Sequence, residues 1–387
     1  MTRAADPPIL MQDEITEAVL AREDVARYLQ GDGDAKGPSA RERVEMYLGE
    51  MRTTQRHAMY KVLKHPLYPI FRKVDRRVEG IEHVRAATAA GRVVYISNHK
   101  SHLDYLLELL ALEDFAIRPP VIAAGINLFG GPLGLINRQI TGAIPIRRNI
   151  KDPVYLATLK AYVAEVLHRH DVFFYFEGGR SYTGEFKAPK TGLVHAVMQA
   201  DIADLTIIPT AIVYDLVLED RTLARQGVKK SQRPFSRELA EMIGSAVGYQ
   251  TRSFTTFGEP LSIQGFDHRA RRDVLGLAQT VRARISALHK VVPTALVAAA
   301  MRPSSAPADL RARIAGLVDG LRARRANLDI TDPQEIMERG IELLVDRDAL
   351  AIDAGTYRVR DRTLLRYYAR SIGHLIAPPK RTTAPVA

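Results

Sequence analysis

An α/β fold, with a central sheet covered by helices and helical segments at both ends, is predicted by three features of this 387-residue sequence. Short apolar runs of strand type alternate with helix-period stretches between residues 90 and 213. Residues 12–30 and 40–65, and most of the chain after residue 265, carry apolar residues three and four apart. Hydrophobic residues make up 46% and charged residues 26%, which sets the chain among folded globular proteins and not disordered ones. The boundaries that follow are an N-terminal helical segment over 1–75, an α/β domain over 76–265, a C-terminal helical region over 266–377, and a Pro/Thr-rich, disordered tail over 378–387.

Each element has its own signal. In the N-terminal segment Ile15, Val19, Leu20, Val25 and Leu29, then Val44, Tyr47, Leu48 and Met51, mark one face of a helix, and the Gly/Asp-rich stretch Gly31–Gly37 reads as a loop. Arg92–Ser97 (RVVYIS), Pro120–Ala124, Ala143–Ile146, Val172–Phe176 and Thr206–Val213 are apolar runs of strand length. Leu103–Leu112 and Pro153–Arg169 have a helical period between them. Further on, Arg272–Leu288 and Leu310–Ala323 read as helices. Leu350–Ile352 and Tyr357–Val359 flank Asp353-Ala354-Gly355 as a hairpin would. Leu364–Leu375 reads as a last helix, and no internal repeat is visible.

Composition limits the function classes. The chain contains no cysteine, which excludes disulfides, thiolate metal sites and a covalent cysteine intermediate. Its N-terminus lacks the basic-then-apolar layout of a signal peptide. The longest apolar stretch, Val121–Ile136, is shorter than the roughly 20 residues a membrane span needs, and four glycines interrupt it. It reads as buried core or as the wall of an apolar cavity. The net charge of +11 suits nucleic acid, anionic lipid or phosphorylated ligands, and equally an arginine-rich solvated surface. The basic residues are dispersed, with none of the aromatic interleaving of single-strand binders, so no nucleic acid partner is expected.

The chemistry gathers at strand ends. Arg92–Ser97 delivers the chain to Asn98-His99-Lys100-Ser101-His102-Leu103-Asp104, and in α/β sheets ligands collect at the carboxyl ends of the strands. A histidine there can act as a general base near neutral pH, most effectively with a carboxylate on its other ring nitrogen. Within one helix His99 and Asp104 would lie roughly 140° apart. With His99 in the loop and Asp104 on the first turn, the carboxylate can point back at the ring. His102 is a rival base that spacing does not separate from His99. A metal site of His99, His102 and Asp104 lacks further ligands at recognisable spacing. Two more apolar strands break into basic, glycine-bearing tips: Gly142–Asn149 with Arg147, and Phe173–Gly184 with Glu177, Gly178, Gly179, Arg180 and Ser181. Lys190 follows in Pro189-Lys190-Thr191-Gly192. Cations with free backbone amides make a phosphate site, and glycines let a ligand approach the backbone closely. The Gly178-Gly179 amides are candidate donors to a developing oxyanion.

His99-x4-Asp104, the Gly142–Arg147 segment, Phe176-Glu177-Gly178-Gly179-Arg180-Ser181 and Ile207-Ile208-Pro209 together resemble the four ordered blocks of glycerolipid acyltransferases. The Glu-Gly-Gly-Arg-Ser form of the third block, with Pro189–Gly192 after it, resembles the branch that acylates glycerol 3-phosphate. The segment Leu365–Ile372 is similar to the C-terminal region of the large enzymes that act on glycerol 3-phosphate or dihydroxyacetone phosphate. The blocks span residues 98–209 and the looser likeness reaches residue 375.

The resemblance implies a central mixed sheet flanked by helices. It implies His99 as base on the 1-hydroxyl of glycerol 3-phosphate, Asp104 as its orienting carboxylate, and direct attack on an acyl thioester without an acyl-enzyme. Arg147, Arg180 and Lys190 would hold the phosphate, while Glu177 and Ser181 position the glycerol. No metal or cofactor is implied. The donor would be acyl-coenzyme A or acyl carrier protein, and the place of work a membrane surface on its cytoplasmic side, held peripherally by anionic lipid. Two positions depart from the family pattern: Tyr182 stands where an arginine is frequent, and Pro145 stands where an aromatic or branched residue is frequent. The alternative readings are acylation of dihydroxyacetone phosphate or a lysophospholipid, and a non-catalytic lipid-binding protein.

Overall fold

Residues 12–30, 38–52, 74–126, 143–147, 150–229 and 251–376 are described by a computed structural model of the chain. The expected Gly31–Gly37 loop, the helical reading of 53–65, the later part of the Val121–Ile136 stretch, Gly142, Arg148, Asn149 and the tail lie outside the described residues.

The described residues of the N-terminal segment are largely helical, as their spacing predicts. It forms α1 (Gln12–Ala21), α2 (Glu23–Leu29) and α3 (Ala40–Met51). The reading of 12–30 as one stretch is corrected at Arg22, whose extended backbone (φ −67°, ψ 135°) separates two helices. Ser39 and Glu42 form a reciprocal capping box at the start of α3.

The α/β part follows in chain order as β1 (Val74–Glu79), α4 (Ile81–Ala90), β2 (Arg92–Ser97), α5 (Asp104–Asp114), β3 (Val121–Gly125), β4 (Ile144–Ile146), α6 (Pro153–Leu167), β5 (Val172–Tyr175), α7 (Gly192–Met198), β6 (Leu205–Tyr214), α8 (Asp220–Lys229), β7 (Thr251–Phe257) and β8 (Leu261–Ser262). The sheet order is β1-β7-β6-β2-β5-β3-β4, with β8 paired to β6. β6, β2, β5, β3 and β4 run parallel, whereas β7 and β8 run antiparallel to β6. The expected mixed sheet flanked by helices is borne out.

Period-2 alternation sorts the strands onto two cores. Val94 and Ile96 of β2, Phe174 of β5 and Ile207 of β6 face α6, α7, α9 (Arg271–Leu288) and the N-terminal helices. Val93, Tyr95, Phe173 and Ile208 face the opposite way, against α4 and α5. Because the central strands are covered on both faces, they read as continuous apolar runs. Asp171 ties the start of β2 to the rest of the sheet. It accepts from the Val93 amide at 2.9 Å and is gripped by the Arg118 guanidinium.

Several elements were not visible in the sequence. β1 (VDRRVE) has Val74 as its single fully buried residue, and β7 (TRSFTTF) is mostly Thr and Ser. Neither shows an apolar run. Pro145 sits in β4, the last strand in the order, where a residue without an N–H can stand at a sheet edge.

After α9 the chain forms α10 (Pro293–Ala300), β9 (Ser304–Ser305), α11 (Pro307–Ala323), α12 (Pro333–Asp346), β10 (Leu350–Asp353), β11 (Thr356–Val359), α13 (Arg362–Ser371) and α14 (Gly373–Ile376). The hairpin is present: Asp353 pairs with Thr356 across Ala354 and Gly355, both at positive φ. It belongs to a three-stranded sheet with β9. The last helix breaks after Ser371, just before Gly373. These elements build a third apolar core with α5 and the end of β6. Among the described residues no helix is long and apolar enough to cross a membrane.

Candidate active site

The end of β2 is pinned before its loop begins. The Asn98 side chain donates to the Ile212 carbonyl at 2.9 Å and accepts from the Ile212 amide at 2.8 Å, so it takes the place of a ladder residue against β6. His99 follows in the loop, and Asp104 opens α5. Nδ1 of His99 lies 2.8 Å from Oδ2 of Asp104. The geometry therefore brings the Asp104 carboxylate to the His99 ring.

Asp104 is fully buried. Oδ2 also accepts from the amides of Lys100 (2.6 Å) and Ser101 (2.9 Å), and Oδ1 accepts from the Tyr214 hydroxyl at 2.6 Å. Burial pushes the Asp104 carboxyl up to about 6, opposed by the Tyr214 hydroxyl and by the Ser101 and Lys100 amides. With a proton on Nδ1 shared toward Asp104, a neutral His99 ring presents Nε2 as the basic nitrogen. The ring lies flat on Tyr175, centroids 4.0 Å apart and planes 8° apart. Tyr175 in turn donates to Oε2 of buried Glu108 at 2.9 Å, and Ser97 donates to Oε1 at 2.5 Å. Burial, and then the charge of Asp104, push the Glu108 carboxyl well above the carboxylate range.

The third block is laced to this loop by its backbone. The Phe176 amide donates to the Ser97 carbonyl and the Ser181 amide to the His99 carbonyl, both at 3.0 Å. Gly178 adopts φ +67°, with Lys190 packed against it. Its amide donates to the Tyr175 carbonyl at 3.1 Å. That bond removes Gly178 from the candidate oxyanion donors.

Glu177 is buried, with Oε1 accepting from the Lys187 amide at 3.2 Å. Burial pushes its carboxyl up, opposed by Lys100. The Arg180 guanidinium lies 3.6 Å from Oε1 of Glu219, and Ser181 Oγ donates to the Glu185 carbonyl at 2.7 Å. Tyr182, at the departure from the family pattern, gives an aromatic face to two cations: Arg180 at 5.7 Å and Lys187 at 5.4 Å.

A pocket of about 380 Å³ opens beside His99. Its walls are apolar: Ile122 to Gly125 of β3, Ile146, Leu159, Phe174 and Leu193. His99, His102, Arg147, Gly178, Gly179 and Lys190 also line it. The apolar-cavity reading of Val121–Ile136 thus holds for its β3 portion. Arg147 and Lys190 share the pocket with His99, while Glu177, Arg180 and Ser181 stand in the loop behind. Arg147 is already ion-paired with Glu50 of α3.

Sequence reasoning missed Tyr214, Glu108, Tyr175 and Glu219. Glu219 accepts from Ser101 Oγ at 2.8 Å and from the His102 amide at 2.7 Å, and so holds the first block beside Arg180. Its signal was available. Tyr214 is the last residue of β6 and Glu219 lies in the loop that follows it, where the strand-end rule applies as it does to His99.

A buried imidazole–carboxylate pair at the mouth of an apolar pocket, with cations on the rim, is equipped to move an acyl group. Residues 75–213 match the family described as Acyltransferase. Beyond the domain, the chain is similar to curated proteins named glycerol-3-phosphate acyltransferase. It is 27% identical to that of Actinobacillus succinogenes over 88% of this chain and 46% of the relative. The corresponding figures are 25%, 97% and 51% for Pasteurella multocida, and 31%, 68% and 34% for Pseudoalteromonas translucida. The resemblance read from the ordered blocks is borne out. The chain spans about half or less of the length of these relatives.

Proposed function

We propose that the chain transfers a fatty acyl group from an acyl thioester to the 1-hydroxyl of glycerol 3-phosphate, releasing 1-acylglycerol 3-phosphate and the free thiol. The observation that carries this reading is the 2.8 Å His99–Asp104 pair opening on the apolar pocket that Arg147 and Lys190 also line. The acyl chain occupies the pocket. His99 Nε2 takes the proton of the acceptor hydroxyl as its oxygen attacks the thioester carbonyl. The imidazolium, held by Asp104, returns that proton to the departing thiolate. A thioester is activated, so positioning plus one general base, worth roughly 10²–10⁴ in rate, can suffice. Arg147, Arg180 and Lys190 hold the phosphate, with Glu177 and Ser181 beside the glycerol. The donor is acyl-coenzyme A or acyl carrier protein, and the chain works peripherally on an anionic bilayer, where substrate and product both partition.

The test is release of free thiol from palmitoyl-coenzyme A, with and without glycerol 3-phosphate, beside His99→Ala. Release that requires glycerol 3-phosphate and drops at least about 10³-fold in the variant is expected. Equal release by His99→Ala would overturn the assignment of the base. Preference for dihydroxyacetone phosphate would move the acceptor.

A further inference from the structure

The C-terminal helix α13 sets two adjacent tyrosines against the catalytic loops, and they are treated differently. Tyr368 is fully engaged: its hydroxyl donates to Oδ2 of Asp220 at 2.5 Å and accepts from the Val217 amide at 3.2 Å. Tyr367 is as deeply buried, 3% exposed, yet no described polar group lies within hydrogen-bonding distance of its hydroxyl. A buried hydroxyl left in this state is costly, so it calls for a reason in the working protein.

Its surroundings supply one. The charged groups acting on it are Glu219, Asp220, Asp104 and, on the cationic side, Arg180. Each of the three carboxylates has a partner already: Ser101 and Arg180 for Glu219, Arg347 for Asp220, His99 for Asp104. The helix is held firmly at this point. A Cβ on Gly184 would come within 1.9 Å of the Tyr367 carbonyl oxygen, so the third-block loop packs directly on the α13 backbone. Gly184 also offers its carbonyl to the buried Lys100 ammonium at 3.0 Å.

We propose that the Tyr367 hydroxyl donates to the phosphate of the acceptor beside Arg180, so that the C-terminal helical region completes the acceptor site. The inference rests on the functional reading above. Burial and the nearby carboxylates hold the phenol well above the ordinary tyrosine range, which keeps it a neutral donor at working pH. A neutral donor beside a guanidinium suits a dianionic phosphomonoester, since it adds a hydrogen bond without adding charge.

Tyr367→Phe tests this against Tyr368→Phe. Tyr367→Phe is expected to fold with a melting temperature equal to or above that of the parent, because an unpartnered hydroxyl is removed. Its KM for glycerol 3-phosphate should rise about tenfold or more, with the KM for palmitoyl-coenzyme A unchanged. The melting shift produced by inorganic phosphate should shrink with it. Tyr368→Phe, losing a satisfied buried bond, should instead melt lower. An unchanged KM for glycerol 3-phosphate in a folded Tyr367→Phe protein, or a loss of kcat alone, overturns the proposal. Failure of the parent protein to turn over glycerol 3-phosphate would instead overturn the functional reading.

Discussion

Asp104 shows how one side chain can be poised by its neighbours. Burial favours its neutral form, and four hydrogen bonds favour its charged form. The bond from Tyr214 is the one a single atom can remove. In Tyr214→Phe, Oδ1 loses its donor in a dry site, and a bond that stabilised the carboxylate is gone. The carboxyl therefore rises above about 6. On the proposed mechanism activity needs the ionised form, so the acid limb of kcat/KM is expected to move to higher pH. A fall of about 1–3 kcal/mol in stability near neutrality accompanies it. A pH–rate profile superimposable on that of the parent would show that Tyr214 does not act through Asp104. Spacing alone allowed Asp104 to reach His99. It carried no sign of Tyr214, which is 110 residues away in the chain, or of the flat Tyr175 ring beneath the imidazole.

At the scale of elements, the strands that read clearly from sequence are those buried on both faces. β2, β5 and β6 have nearly unbroken apolar runs because helices cover each side. β1 and β7 escaped notice because their alternation is carried by Thr, Ser and Arg, whose place in the sheet depends on partners far along the chain. The pocket is likewise a product of several elements, with β3, β4, β5, α6 and α7 all contributing lining residues. Gly192, the first residue of α7, lines it, and a Cβ there would meet no described atom within 4 Å. Gly192→Phe should fill this space and shorten the longest acyl chain accepted. Relative to the parent, kcat/KM for palmitoyl-coenzyme A should fall roughly tenfold against that for octanoyl-coenzyme A, with the KM for glycerol 3-phosphate unchanged. An unaltered chain-length profile would place the acyl chain elsewhere.

Across the whole molecule, the two parts of the chain are joined by an adjacent pair of acids. Glu219 faces the catalytic loop, while Asp220 turns the other way into a buried bidentate contact with Arg347, at 2.6 Å and 3.0 Å, and to Tyr368. The C-terminal region is thus anchored one residue from the site. The net charge of +11 bears on the proposed surface attachment. Each well-placed Lys or Arg contributes about 1 kcal/mol of attraction to an anionic bilayer, and that attraction is screened by salt. Binding to phosphatidylserine-containing vesicles should weaken steadily between about 50 mM and 500 mM salt in a sedimentation assay. Salt-insensitive binding, or none, would remove charge as the means of attachment.

By itself the sequence determined the α/β class, the covered central strands, the terminal hairpin and the ordered blocks at the strand ends. These are consequences of local periodicity and of motifs whose members lie within a dozen residues of each other. Only the tertiary structure decided that the Asp104 carboxylate meets the His99 ring, that Tyr214 at the end of β6 and Glu219 in the loop after it brace the first block, and that Tyr367 and Tyr368 of one helix have opposite hydrogen-bonding states. Those outcomes depend on register between strands, on the depth at which each polar atom is buried, and on contacts between residues more than a hundred positions apart, for which local spacing leaves no trace.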